Sequence, residues 1–197
     1  MLLCSLVLNP QTTYAYNANS AVNYADTWAK ARNPAYTQFS SDCTNFVSQV
    51  LRAGGLATNN QWYYNNSSSY SRTWSVADDF KWYIKDIYGA TRLSSGWTRL
   101  GTYHGSTWLY SYINNAGYVN NSANIPSSGD VVVFYDWEDD GKINHSAYCV
   151  GTGAALEDYN IYGDLINQHS NDKKRALWHL DTHNAKRDKT AIYAFQL

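Results

Sequence analysis

The sequence has 197 residues, of which 44% are hydrophobic and 16% are charged, so it is long enough for one well-packed domain and short for two. Its formal net charge is −1 and its Lys and Arg residues are scattered, which argues against nucleic acid or an anionic membrane as a partner. The 18 Tyr and 8 Trp residues stand among many Asn and Ser, a mixture suited to stacking on sugars and hydrogen bonding to polar polymers. The alternative, which we favour for most of the Trp residues, is that these aromatic side chains fill the core.

Residues 1–15 have the pattern of the end of a secretory signal peptide. An apolar run, Leu2–Leu8, precedes the small-residue cleavage pattern Thr13–Ala15. The positively charged start of a signal is missing, so the run is alternatively a strand that packs on the domain. We expect the domain to cover 16–197, in a protein that is secreted and has no membrane anchor.

Helical patterns occupy the first half of the domain. The first runs from a cap at Asn19 or Ser20 to a stop at Asn33 and Pro34, and the second begins near Cys43 and ends at Gly54 and Gly55. Two more are predicted over 74–89 and 106–117. The buried face of the 74–89 helix is predicted to contain Val76, Phe80, Ile84 and Ile87.

From Gly129 onward the pattern changes to short runs rich in β-branched and aromatic residues, separated by turn residues. These runs cover 129–137, 145–153, 164–170 and 190–197. The sequence therefore predicts an α+β fold in which N-terminal helices are followed by an antiparallel β-sheet.

Cys43 is the candidate nucleophile. It lies in the first turn of its predicted helix, where Ser41 or Asp42 can cap the free N–H groups and the helix dipole lowers the pKa of a thiol. A free cysteine is more often a small buried hydrophobe, but the neighbouring Thr44 and Asn45 are polar. A carboxylate beside the thiolate would raise the thiol pKa unless Asp42 points outward, so a catalytic Cys43 needs an imidazole as its base.

His145 opens a predicted strand and is the candidate base; the alternative is a solvent-exposed histidine at the rim of the sheet. Cys149 would lie about 13 Å along that strand at about 3.3 Å per residue, so we expect it to be structural. The next strand returns antiparallel to this one, which makes Asn167, Gln168 and His169 candidates to orient the base. Alternation places Asn167 and His169 on one face and Gln168 on the other. Three cysteines make a disulfide framework improbable.

Three blocks of the sequence, 16–55, 127–151 and 166–172, closely resemble the "putative amidase domain" family of secreted proteins from Gram-positive bacteria. The block DCTNFVSQ, which contains Cys43, is the most specific of the matching motifs. That family is similar to the papain-like cell-wall hydrolases of the NlpC and CHAP type. The resemblance implies a circularly rearranged papain-like α+β fold and hydrolysis of an amide bond, with peptidoglycan as the expected substrate.

The resemblance also implies roles for individual residues. The third catalytic residue maps best to His169, with Asn167 as the alternative. The oxyanion donors would be the backbone N–H of Cys43 and a group upstream of it, for which Gln38 is the candidate. Asp42 and Trp62 are the further candidates for contacts with substrate.

Two other constellations suggest metals. Asp136, Glu138 and Asp140 alternate before a glycine, as in the first half of a calcium loop, but the closing glutamate is missing and a polar hairpin explains the pattern as well. His179 and His183 are four residues apart without the glutamate of zinc proteases, which favours an ordinary surface segment. We expect no metal and no cofactor.

The sequence therefore predicts a monomeric cysteine amidase or peptidase that forms an acyl-enzyme on Cys43 with His145 as base. Its partner would be peptidoglycan or another peptide substrate. One alternative is a non-catalytic wall-binding module that uses the aromatic residues of 61–74 as a sugar platform. Another is a transacylase with the same Cys–His pair, in which an amine replaces water.

Overall fold

The computed structural model describes residues 16–92, 97–104, 107–114, 129–158, 160–187 and 189–197. The fold is α+β, as predicted, with helices that precede and pack on an antiparallel sheet. Within these ranges no helix is long and apolar enough to cross a bilayer. The helical segments are α1 (Ala18–Trp28), α2 (Cys43–Ala53), α3 (Arg72–Ser75), α4 (Ala77–Trp82), a π-helical turn (Tyr83–Tyr88) and a 3₁₀ turn (Asp181–His183). The strands are β1 (Tyr64–Asn66), β2 (Ser69–Tyr70), β3 (Thr91–Arg92), β4 (Trp97–His104), β5 (Thr107–Asn114), β6 (Val131–Asp136), β7 (His145–Ala155), β8 (Ile161–Gln168), β9 (Lys173–Leu177) and β10 (Ala191–Gln196).

Helix α2 ends where the sequence predicts. Gly54 follows its last residue, and Gly55 has φ +94°, a conformation that glycine adopts without steric cost. A Cβ on Gly54 would lie 2.4 Å from the Tyr16 ring, so this close approach also requires glycine. Helix α1 begins slightly earlier than predicted, because its cap is Asn17, whose Oδ1 accepts a hydrogen bond from the Ser20 N–H at 2.9 Å.

Helix α2 is the central helix of the domain, and its first nine residues are all buried. Its polar side chains therefore need internal partners. Thr44 Oγ1 lies 3.1 Å from Ser146 Oγ on β7, and Ser48 Oγ donates to the Trp74 carbonyl at 2.9 Å. These bonds fix the rotation of α2 and the height at which Cys43 meets the sheet.

The main sheet has eight strands in the order β5-β4-β10-β6-β7-β8-β9, with β3 also paired to β10. Every neighbouring pair is antiparallel, which confirms the prediction from the C-terminal sequence pattern. The four predicted strands are β6, β7, β8 and β10. Strand β9 was not predicted, because its Lys and Arg residues hide the alternation.

Both faces of the sheet are covered by apolar side chains, and alternation along each strand decides which face a residue occupies. The face toward the helices includes Val132, Phe134, Tyr148, Leu165 and Phe195, which pack with Phe46 and Val50 of α2. The opposite face includes Val133, Tyr135, Ala147, Cys149, Ile166 and Trp178. A shift of one residue along β8 would therefore exchange a helix-facing side chain for one on the other face.

Two predicted helices differ from the structure. Of the helix predicted over 106–117, the described residues Thr107–Asn114 form strand β5, paired with β4, because Trp, Tyr, Ile and Thr residues favour a pleated sheet. The helix predicted over 74–89 is divided into the end of α3, then α4 and the π-helical turn. Phe80 and Ile84 are buried as predicted, but Ile87 is exposed since the wider π turn rotates it off that face.

Candidate active site

Cys43 is the first residue of α2, and its thiol meets the opening of β7. The Sγ atom lies 3.7 Å from Thr44 Oγ1, and the His145 ring and the Ser146 backbone N–H are near enough to act on its charge. Burial raises the pKa of the Cys43 thiol, but the charge of the His145 ring and the polar interactions with His145, Ser146 and Thr44 outweigh it and lower the pKa to about 6. Such a thiol is largely a thiolate at neutral pH, the form that acts as a nucleophile.

The second nitrogen of the His145 ring is held by a glutamine. His145 Nε2 lies 2.7 Å from Gln168 Oε1, and the Gln168 amide nitrogen donates to the Asn171 carbonyl at 3.2 Å. The bond to Asn171 fixes which end of the amide faces the ring, so Gln168 accepts a hydrogen bond from Nε2–H. In the neutral ring, Nδ1 is therefore the nitrogen with a lone pair for the thiol proton.

Aromatic side chains confine the His145 ring. Trp137 stacks on it with the ring centroids 5.4 Å apart and an interplanar angle of 24°, and Tyr135 lies 5.3 Å away at 47°. Trp137 was not predicted from the sequence as a site residue. The antiparallel register between β6 and β7 could have indicated it, since Tyr135 pairs directly with His145 and Trp137 follows two residues later. The stacked indole and the Gln168 bond together hold the ring in one orientation.

The structure brings Gln168 to His145, and not Asn167. Asn167 pairs with Tyr148 across the strands and so lies on the helix-facing side of the sheet. Its amide nitrogen donates to Asp26 Oδ1 of α1 at 2.9 Å. The expectation that Asn167 orients the base is therefore corrected, and the physical reason is the alternation of side chains along β8.

His169 also lies away from the base. Its Nδ1 is 2.6 Å from Asp42 Oδ2, and its Nε2 is 2.8 Å from the Trp28 carbonyl oxygen. The ring is buried and stacks on Phe46. Both of its nitrogens have partners other than His145. The prediction that His169 orients the base is therefore wrong, and the preceding residue, Gln168, makes that contact.

A cleft of about 390 Å³ opens over the thiol and the imidazole. One wall comes from the segment 180–186, of which the sequence suggested only His183, as a zinc ligand. Amide, hydroxyl and basic groups dominate the polar lining, and none of the lining residues in the described part of the chain is an Asp or Glu. The lining residues are Ser41, Cys43, Trp137, Asn144, His145, Gln168, Ser170, Asn171, Leu180, His183, Asn184, Ala185 and Lys186.

The three residues expected to bind the oxyanion or the substrate do not line this cleft. Gln38 is exposed outside it, and Asp42 is buried with only 2% of its surface exposed. The Asp42 side chain occupies the cap position of α2 but makes no capping bond, since it turns inward to His169. The Cys43 backbone N–H remains the candidate oxyanion donor, because first-turn N–H groups have no acceptor within the helix.

Trp62 and Trp74 belong to the core, so they form no exposed sugar platform. Both side chains are fully buried, and their rings lie 5.0 Å apart. Trp62 Nε1 donates to Ser48 Oγ at 3.0 Å, and Trp74 Nε1 donates to Asn45 Oδ1 at 2.7 Å. These bonds satisfy the indole N–H groups in the interior, so neither indole is available to the sugar platform of the module alternative, whereas Tyr63 and Tyr70 of the same segment are half-buried.

The candidate calcium ligands do not converge. Asp136 is buried and accepts hydrogen bonds from the backbone N–H groups of Glu138, Asp140 and Gly141. The Glu138 carboxylate pairs with the ammonium group of Lys186, and this hydrogen bond lowers its pKa. These acidic residues therefore shape a hairpin between β6 and β7. Within the described ranges no three His, Cys, Asp or Glu residues form a group able to hold a metal ion.

The two histidines that the sequence suggested for zinc, His179 and His183, are more buried than a surface segment would be. His179 is 2% exposed, and its Nδ1 accepts the Asp181 N–H at 3.3 Å. His183 lines the cleft with its Nε2 3.0 Å from Asp158 Oδ1, and burial lowers its pKa. Cys149 is fully buried and burial raises its pKa to about 12, which fits the structural role expected for it.

Comparison with known proteins shows which family the chain belongs to. Residues 15–193 match the sequence profile of a family described as "Putative amidase domain". The chain belongs to this family. An amidase domain of this extent covers both segments that build the site, the start of α2 and the strands β7 and β8. Membership indicates a hydrolase, and it leaves the catalytic group and the substrate to be argued from the residues.

Two curated relatives come from Bacillus subtilis (strain 168), and neither has an established function. The uncharacterized protein YhbB is 30% identical over 170 residues, which are 84% of this chain and 45% of YhbB. The uncharacterized protein YjcM is 25% identical over 146 residues, 71% of this chain and 34% of YjcM. The amidase domain thus spans less than half the length of these relatives. No solved structure matches it.

Proposed function

We propose that this amidase domain is a cysteine hydrolase of the papain-like type that cleaves an amide bond in bacterial peptidoglycan. One observation carries the proposal: the Cys43 thiol, with its pKa lowered to about 6 by His145, opens into a cleft while Gln168 holds the other ring nitrogen. A nucleophile, its base and an orienting group on three separate elements are the plan of a cysteine hydrolase.

In the proposed reaction, His145 Nδ1 takes the proton of Cys43 and the thiolate attacks the amide carbonyl. The backbone N–H of Cys43 donates to the oxygen as it becomes negative. The protonated ring then gives its proton to the leaving amine as the C–N bond breaks. Finally His145 removes a proton from water, which attacks the thioester and releases the acid and the free thiol.

The choice of substrate has three supports. The family is one of amidases, the similar proteins are bacterial, and the cleft offers amide, hydroxyl and basic groups to a polar chain. The signal-like pattern of residues 1–15 supports a secreted, wall-associated protein, and the roomy cleft is complete within one chain, which supports a monomer. We include these features in the proposal.

The test is incubation of purified peptidoglycan with the protein and with its Cys43→Ala variant, followed by mass spectrometry of the soluble fragments. We expect new amino and carboxyl ends with the unmodified protein only, and those ends identify the bond. Cys149→Ala is the matched control, since it removes the other described thiol, which is buried away from the cleft, and should keep activity. Equal fragmentation by Cys43→Ala would refute the mechanism, and binding without fragments would favour a module.

A further inference from the structure

A buried charged cluster lies at the amino end of α2, next to the proposed nucleophile, and the proposed reaction does not use it. Its centre is the pair Asp42 and His169, whose side chains are 2% and 1% exposed, with 2.6 Å between Oδ2 and Nδ1. Arg32 Nε lies 3.1 Å from the same oxygen, and Arg32 also pairs with Asp172 at 2.8 Å. Burying charges is expensive, so the cluster calls for an explanation.

Every neighbour of the Asp42 carboxylate is a hydrogen-bond donor. Oδ1 accepts from the Phe39 backbone N–H at 3.1 Å and from the Asn45 amide nitrogen at 2.8 Å. Oδ2 faces the His169 ring and the Arg32 guanidinium. The Phe39 N–H, the Asn45 amide and the Arg32 guanidinium are donors whatever the state of the ring, and they stabilise the ionised form of Asp42.

Both nitrogens of the His169 ring face groups that only accept. Nδ1 faces the Asp42 carboxylate, and Nε2 faces the Trp28 carbonyl oxygen at 2.8 Å. An ionised Asp42 and a ring protonated on both nitrogens satisfy both contacts, whereas a neutral ring does so only if Asp42 takes the proton, which the other donors around Asp42 disfavour. Phe46 stacks on it with centroids 4.1 Å apart at 27°, a contact that favours a cation over an aromatic face.

The pair joins the two segments that carry the proposed reaction. Asp42 directly precedes Cys43, and His169 directly follows Gln168, which holds the base. A second bond runs parallel to the first, since the Asp42 backbone N–H donates to Ser170 Oγ at 2.8 Å. The start of α2, which we call the nucleophile turn (residues 42–43), is thus bound to the end of β8. Each side of this link is one residue from a group of the proposed site, Cys43 on one side and Gln168 on the other.

We propose that Asp42 and His169 are positioning residues, whose ion pair fixes the Cys43 thiol against the His145 and Gln168 side chains. This inference rests on the proposed function for its biological meaning, but its effect on the thiol is measurable without a wall substrate. Loss of the pair lets the nucleophile turn move relative to β8. A displacement of about 1 Å at a reacting group costs on the order of 100-fold in rate.

The test compares three variants by the rate at which Cys43 reacts with an aromatic disulfide, measured against pH and quantified on the Cys43 peptide. His169→Ala breaks the pair. Asp42→Asn retains a hydrogen bond, because its amide can donate to Nδ1 of a neutral His169 ring. Asp26→Asn is the matched control: Asp26 joins α1 to β8 and β9 through Asn167 and Arg175, away from the thiol.

We expect His169→Ala to move the inflection of the profile upward by about one pH unit or more, which reduces the thiolate at about pH 5 by about tenfold. Where wall cleavage is measurable, kcat should fall with little change in KM. The inflection should move less in Asp42→Asn than in His169→Ala. Asp26→Asn should lower the melting temperature without moving the inflection. A stability loss in His169→Ala with an unchanged inflection would show a merely structural pair and overturn the proposal.

A second measurement applies even if His169→Ala does not fold. Ring ¹⁵N NMR of the unmodified protein at about pH 7 should show two protonated nitrogens on His169, and Asp42→Asn should show one. A singly protonated ring in the unmodified protein would overturn the proposal. If instead the unmodified protein cleaves no wall material, the proposed function fails while the thiol profiles still decide the role of the pair.

Discussion

Replacing His145 with Ala removes the charge that stabilises the Cys43 thiolate. Since that ring is the main group that lowers the pKa from the ordinary 9.0 to about 6, the thiol of the variant should titrate at about 9 or above. At about pH 5 the thiolate fraction then falls from about 10% to about 0.01%, a loss of about 900-fold. A thiolate of higher pKa is intrinsically more nucleophilic, and this raises the rate constant of the variant thiolate by about 20-fold. The observed rate at about pH 5 should therefore fall about 40-fold.

The assay is the reaction of Cys43 with an aromatic disulfide between about pH 4 and 10. The same arithmetic makes the variant about 20-fold faster at the alkaline end, so the two profiles should cross between about pH 7 and 8. His183→Ala is the matched control, because His183 lines the same cleft but is not among the groups that shift the Cys43 pKa. An inflection that stays near pH 6 in His145→Ala would refute the reasoning. It would show that the position of Cys43 at the start of α2 lowers the thiol pKa by itself.

Three further predictions concern the neighbouring groups. Gln168→Ala should reduce amide cleavage about 10- to 100-fold, because His145 loses the acceptor that fixes its tautomer, whereas Gln168→Glu should keep most activity in the same fragment assay. Trp62→Ala should lower the free energy of unfolding by about 3–5 kcal/mol in denaturant titration, with glycan binding by the folded protein unchanged, because its indole fills the core. Weaker glycan binding by the folded Trp62→Ala variant would contradict this core role. A chelator should leave the melting temperature unchanged, whereas Asp136→Ala should destabilise by about 1–3 kcal/mol, since three backbone N–H groups lose their acceptor.

The sequence predicted those parts of the site that depend on local pattern. The apolar stripe of α2 and the glycines at its end placed Cys43 in a first helical turn, and the strand pattern placed His145 at the start of β7. Both follow from residues close together in the chain. The pairing of β7 with β8 was also predictable, since consecutive strands separated by a short turn are antiparallel neighbours.

The third residue could not be chosen in the same way, because the choice depends on the register between strands. Asn167, Gln168 and His169 all reach the correct end of β8, and only the pairing of Asn167 with Tyr148 decides that Gln168 shares the face of His145. A register shift between Cys149 and Gly151 moves this alignment by one residue. Long-range contacts likewise decided that Trp62 fills the core.

Strand β10 is the last of the described strands in the chain, yet it lies in the middle of the sheet between β4 and β6. During synthesis, β4 and β5 therefore cannot join β6 to β9 until β10 has left the ribosome. Such late, non-local pairing slows folding and keeps strand edges open for longer. Until the sheet forms and α2 packs on it, Cys43 has no His145 beside it and stays an ordinary thiol. The reactivity of the Cys43 thiol therefore reports the step of folding at which α2 packs against β7.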